Sequence, residues 1–149
     1  MITVLLVLQL FHVLFLGLHD WIPPGRLNDV DAVRAENPTS KLVVGTLVSA
    51  IPFAFGLGAS LHYYGHAYPG WLWVWLWASY LLLFVGELQA WWVPYFLRHE
   101  PQRAARYQAM FGGTHAFLPV RNGIRPNTLH VILHGATVLT LAVLGLLSI

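Results

Sequence analysis

Four apolar runs dominate the chain, over residues 2–18, 41–61, 71–97 and 127–148, and each is bounded by polar or proline-rich punctuation. A hydrocarbon core about 30 Å thick needs roughly 20 helical residues at 1.5 Å each, so all four read as transmembrane helices. The first is the shortest and carries Gln9 and His12 inside it, while the third is the longest and is expected to tilt or project beyond the bilayer. No Lys or Arg precedes the first run and no Ala-x-Ala site follows it, which favours a retained helix over a signal peptide. Its exit, His19-Asp20-Trp21-Ile22-Pro23-Pro24, is abrupt.

Shorter elements are expected in the connections. Pro101 after Glu100 marks a helix start, and residues 102–111 set Arg103 and Arg106 against Tyr107, Met110 and Phe111, the pattern of a helix lying on the inner leaflet. Residues 27–36 suit a short helix that Asn37-Pro38 stops, with Thr39 or Ser40 capping the second span. The predicted fold class is therefore all-α: one integral membrane domain over residues 1–149, a four-helix transmembrane bundle with a short interfacial helix in its third connection.

Composition supports the assignment. Hydrophobic residues make up 57% of the 149 and charged residues only 9%, against roughly 25% charged in a soluble domain. The formal charge is +2, and its eight basic residues are scattered rather than massed, which argues against a nucleic-acid partner. The absence of cysteine excludes disulfides, thiolate metal sites and cysteine nucleophiles.

The positive charges also orient the chain. Arg26, Arg34 and Lys41 mark the first connection and Arg98, Arg103, Arg106, Arg121 and Arg125 the third, whereas residues 62–70 hold none. The positive-inside rule then puts the first and third connections in the cytoplasm and both termini outside. Trp71, Trp73, Trp75 and Trp77 crowd one boundary and Trp21, Trp91 and Trp92 the other, positions suited to the headgroup layer or to a partner subunit.

Polar residues inside the apolar runs carry the candidate chemistry. A charge near the bilayer centre costs about 2.5–3.5 kcal/mol on insertion scales, so Glu87 needs a partner or a proton. Counting inward from the cytoplasmic boundary puts His12 and His134 about 10 Å deep and Glu87 about 15 Å deep. Spacings of three, four and seven align Gln9, His12 and His19 on the first helix, Tyr80, Glu87, Trp91 and Tyr95 on the third, and Asn127, His130, His134 and Thr137 on the fourth. The second offers Thr46, Ser49, Phe53 and Gly56. These faces predict a polar chamber opening towards the cytoplasm, with Glu87, His12, His130 and His134 as acid–base groups. Gln9, Trp91, Tyr95 and Asn127 would line it, His19-Asp20 would form its edge, and His115, Arg121, Asn122 and Arg125 would form a positively charged lid.

Such a chamber suits binding or conversion of a lipid-soluble or amphiphilic small molecule, with Glu87 donating or shuttling a proton and a histidine accepting it. Three other readings fit the same residues. One is a proton-coupled transporter acting as a homo-oligomer. Another is a heme or metal subunit using His12 with His130 or His134, although a bare HxxxH is a weak ligand signal and no cofactor is specified. The last is a structural subunit docking through the tryptophan-rich helix. Membrane lipid is the one partner every reading shares.

Overall fold

In the computed structural model, which describes residues 1–148, regular structure is helical, and the one extended pairing among them is the two-residue bridge between Arg121 and Ile124. Four long elements form the body: α1 (Ile2–Leu18), α3 (Thr39–His62), α4 (Gly70–Glu87) and α7 (Thr128–Leu147). Helix α4 runs on through a π-helical turn, Leu88–Trp92, into α5 (Val93–Phe96). Three of these helices, Thr39–His62, Gly70–Phe96 and Thr128–Leu147, are long and apolar enough to cross a membrane, while α1 is apolar but shorter at 17 residues. Short helices α2 (Val30–Glu36) and α6 (Pro101–Phe111) occupy the first and third connections.

The body is a ring in which α1 packs on α3 and α7, and α4 packs on α7 and α3. Leu5, Leu72, Leu76 and Leu144 are its fully buried apolar centre. Many outward residues are large and apolar, Val48, Val74 and Leu82 among them, which is the inverse of a water-soluble surface. At Gly56 a methyl group would meet Leu76 Cδ2 at 3.2 Å, so this glycine sets how closely α3 approaches α4.

One expectation needs correction. Neither Thr39 nor Ser40 caps α3; Pro38 holds the cap position and no side chain accepts there. The third run is helical over Gly70–Phe96, as expected, but it is not α-helical throughout. Pro94 has no N–H to give to Ala90 or Gln89, so the turn widens and those two carbonyls come free. Helix α6 satisfies both: Arg103 Nη1 donates to Gln89 O at 2.8 Å, and the Tyr107 hydroxyl donates to Ala90 O at 2.9 Å. Burial pushes the Tyr107 phenol up, partly offset by Arg103 and Arg106, so it remains a hydroxyl donor. The wider turn leaves Glu87, Trp91 and Tyr95 buried on one face.

Candidate functional site

Glu87, His12 and Thr137 come from three different helices and meet in the bundle interior. Each is at most 5% exposed. The Thr137 hydroxyl lies 2.7 Å from Glu87 Oε1 and 3.1 Å from His12 Nε2. It also lies 3.1 Å from the carbonyl of Leu133, one turn earlier in α7. His12 Nδ1 is 2.7 Å from Leu8 O. A carbonyl can only accept, so Nδ1 carries a hydrogen and donates. Nε2 therefore faces Thr137 in one of two ways, accepting from the hydroxyl when the ring is neutral or donating to it when the ring is charged.

Aromatic rings wall this chain. Tyr80 meets His12 edge-on with ring centroids 5.0 Å apart, and Phe53 stacks near the imidazole at 6.2 Å. Three polar atoms on the same helices as these groups, Gln9 Oε1, Tyr80 Oη and Glu87 Oε2, are buried with no hydrogen-bond partner among the described residues. Unpaired buried polar atoms cost about 1–3 kcal/mol each, which concentrates unsatisfied hydrogen-bonding capacity in this interior.

The remaining interior histidines form a second, more peripheral cluster. Asn127 caps α7, its Oδ1 accepting from the His130 backbone N–H at 3.0 Å and from His130 Nδ1 at 2.6 Å. Its Nδ2 donates to Leu27 O at 3.3 Å, which fixes the amide orientation. Neutral His130 thus exposes an accepting Nε2 among Trp91, Phe111 and His19, with ring centroids at 4.5, 5.2 and 6.2 Å. His134 has the opposite tautomer, because its Nδ1 accepts from Trp92 Nε1 at 3.1 Å. His19 donates from Nδ1 to Phe15 O at 3.0 Å and holds Asp20 at 3.3 Å through Nε2.

The expected single chamber is thus two neighbouring clusters. Glu87 and His12 share the inner one; Trp91, His130, Asn127 and His19 share the outer one, and His134 leans on Trp92 beside it. Gln9 is buried but turned to α3, donating to Ser60 Oγ at 3.0 Å. Of the cavities along the connections, one of about 300 Å³ near Trp21 and Asp29 and one of about 1020 Å³ near Arg103, neither is lined by Glu87 or His12.

The expected lid is used as scaffold. His115 accepts from the Thr128 backbone and bonds its hydroxyl at 2.7 Å, and its own N–H donates to Arg26 O, tying the third connection to the first and to α7. Asn122 and Gly123 both have positive φ, 50° and 76°, in a two-residue turn closed by Arg121 and Ile124, a geometry that favours this Asn-Gly pair. Asn122 Nδ2 donates to the carbonyls of Pro94 and Tyr95, ending α5. Arg121 lies 5.7 Å over the Tyr95 ring, and Arg125 donates to Gly112 O. Tyr95 itself donates to Pro119 O at 3.1 Å.

Thr137 is a site group that was not among the expected acid–base or lining residues. Its signal was present, three positions after His134 on the same stripe. Ser60 and Trp92 carried no comparable signal. For a metal, no group of three or more histidine or acidic side chains converges among the described residues. Comparison with family models, curated proteins and solved structures finds no match to this chain.

Proposed function

We propose that the chain crosses the membrane four times, with α6 on the inner leaflet, and that the His12–Thr137–Glu87 chain is a proton-exchange site serving a lipid-soluble or amphiphilic small molecule. The observation that carries this reading is the single hydroxyl of Thr137 bridging a carboxyl group and an imidazole. Two arrangements hold the same number of protons. In one, the Glu87 carboxylic acid donates to Thr137 Oγ1, which donates to neutral His12 Nε2. In the other, the imidazolium donates to Thr137 and the hydroxyl donates to the carboxylate. Shifting both hydrogens along the chain in concert converts one into the other without forming a charged Thr137 hydroxyl, and the neutral arrangement avoids separating charge in a low-dielectric interior.

The accepting Nε2 of His130, beside the Trp91 ring, suits the polar end of a guest whose apolar body lies against aromatic walls. A second reading, proton-coupled transport, is favoured by the fact that the bridge joins α1, α4 and α7, so that moving its protons alters contacts among three helices.

Infrared pH titration of the protein in phosphatidylcholine nanodiscs tests the site. The protonated-carboxyl stretch of Glu87, identified by its loss in Glu87→Gln, is expected to shift in both Thr137→Val and His12→Phe. A band indifferent to both substitutions overturns the relay. Flux of protons into pyranine-loaded vesicles separates the two readings: a Glu87-dependent flux favours transport, and none favours binding or conversion. Topology is tested by single cysteines, which the chain lacks. Ala67→Cys is expected to react with an impermeant reagent from outside, and Glu36→Cys only after permeabilisation.

A further inference from the structure

Beyond the relay, a cavity of about 1020 Å³ lies between the π-helical turn and α6. Its walls are Gly86, Gln89 and Ala90 on one side and Gln102, Arg103 and Arg106 on the other. We propose that this groove binds a phospholipid with an anionic headgroup, the phosphate meeting Arg103 and Arg106 and an acyl chain running past Gly86.

Charge selects an anion. Arg103 is matched by Glu100 at 3.0 Å, but the hydrogen-bond partner of Arg106 is the neutral Asn37 Oδ1, and no acidic group pairs with it among the described residues. One positive charge is therefore left over at the groove. The first turn of α6 opens into the same space, and Glu100, at its cap position, accepts no backbone hydrogen bond through its side chain, so amide hydrogens there add to the attraction.

Two further features favour a lipid over a free anion. Leu82 and Val85, the residues leading to Gly86, are 74% and 46% exposed and extend the groove as an apolar track along the long α4 helix. At Gly86 itself a methyl group would meet nothing within 4 Å, leaving open space at the junction of track and groove. The guanidinium of Arg103 is held in place because it also covers the Gln89 carbonyl that Pro94 releases. A volume of this order accommodates a headgroup with its glycerol. The proposal does not depend on the proton relay, whose groups do not line the groove.

Native mass spectrometry of protein released from nanodiscs of equal parts phosphatidylcholine and phosphatidylglycerol tests it. Wild type is expected to retain phosphatidylglycerol about tenfold over phosphatidylcholine. Arg106→Gln and Gly86→Leu should each bring the ratio close to one. Gly58→Leu, on an exposed face of α3 with equally open space, should leave it unchanged. Arg106→Gln also removes the contact to Asn37; if it unfolds, Gly86→Leu decides the question, since it deletes no hydrogen bond. Equal retention of the two lipids by wild type, or undiminished preference in Gly86→Leu, overturns the groove. Thermal stabilisation of detergent-solubilised protein by inorganic phosphate or glycerol 3-phosphate as large as that by phosphatidylglycerol overturns the lipid assignment in favour of a soluble phosphate.

Discussion

Replacing Thr137 by valine keeps the shape of the side chain and removes only the hydroxyl, so its effect isolates the bridge. Without it, Glu87 Oε1 and His12 Nε2 both lose their partner, in positions where Glu87 Oε2 is already unpaired. Two scales bound the cost. Interhelical hydrogen bonds in membrane proteins average about 0.6 kcal/mol in double-mutant cycles, giving a floor of about 1.2 kcal/mol for the two. Stranding a buried polar atom costs about 1–3 kcal/mol, but the unfolded chain in a membrane finds other partners, which pulls the total towards the lower scale. We expect a loss of about 1.2–2 kcal/mol in unfolding equilibria measured by dodecyl sulfate titration of protein in mixed micelles. Thr137→Ser, which restores the hydroxyl, should recover all but about 0.5 kcal/mol, the order of a small volume change. Coupling to Glu87→Gln should appear as non-additivity of at least about 0.5 kcal/mol. A valine variant as stable as wild type, additive with Glu87→Gln, would refute the claim that one hydroxyl joins the two ionisable groups.

Other substitutions probe the parts that position this site. Tyr107→Phe leaves the Ala90 carbonyl only the longer 3.4 Å contact from Arg103 Nη1 and is expected to cost about 1 kcal/mol in the same titration, with faster amide exchange confined to residues 88–94. Asn127→Ala removes a helix cap and a buried amide that fixes His130, and should cost about 2 kcal/mol or more while changing the His130 imidazole resonances in NMR spectra. Arg121→Ala takes away an exposed cation–π contact and no hydrogen bond to the site, so a stability change of about 0.5–1 kcal/mol is the most expected, with the Glu87 infrared band unmoved.

Much of the bundle was legible because its signals are local. Twenty or so apolar residues read as a helix whatever surrounds them, and the four runs recur as α1, α3, the α4–α5 segment and α7 within one or two residues at each end. Period and spacing also placed Tyr80, Glu87, Trp91 and Tyr95 on one buried row. The π-helical turn was less legible, since Pro94 in the sequence signals a disturbance without saying whether a helix kinks, stops or widens. That outcome rests on Arg103 and Tyr107 reaching back from α6 to cover the freed carbonyls.

The amino-acid sequence alone decided that apolar helices form and that Glu87, His12 and His134 lie within them, because hydrophobic periodicity depends only on residues a few positions apart. Tertiary structure decided which of these groups touch. Azimuth about each helix axis and the choice of rotamer turned Gln9 to Ser60, gave His134 to Trp92, and left Thr137 as the hydroxyl between Glu87 and His12. Those contacts depend on how four cylinders rotate against one another, and that rotation is set by packing summed over the whole interface rather than by any one segment.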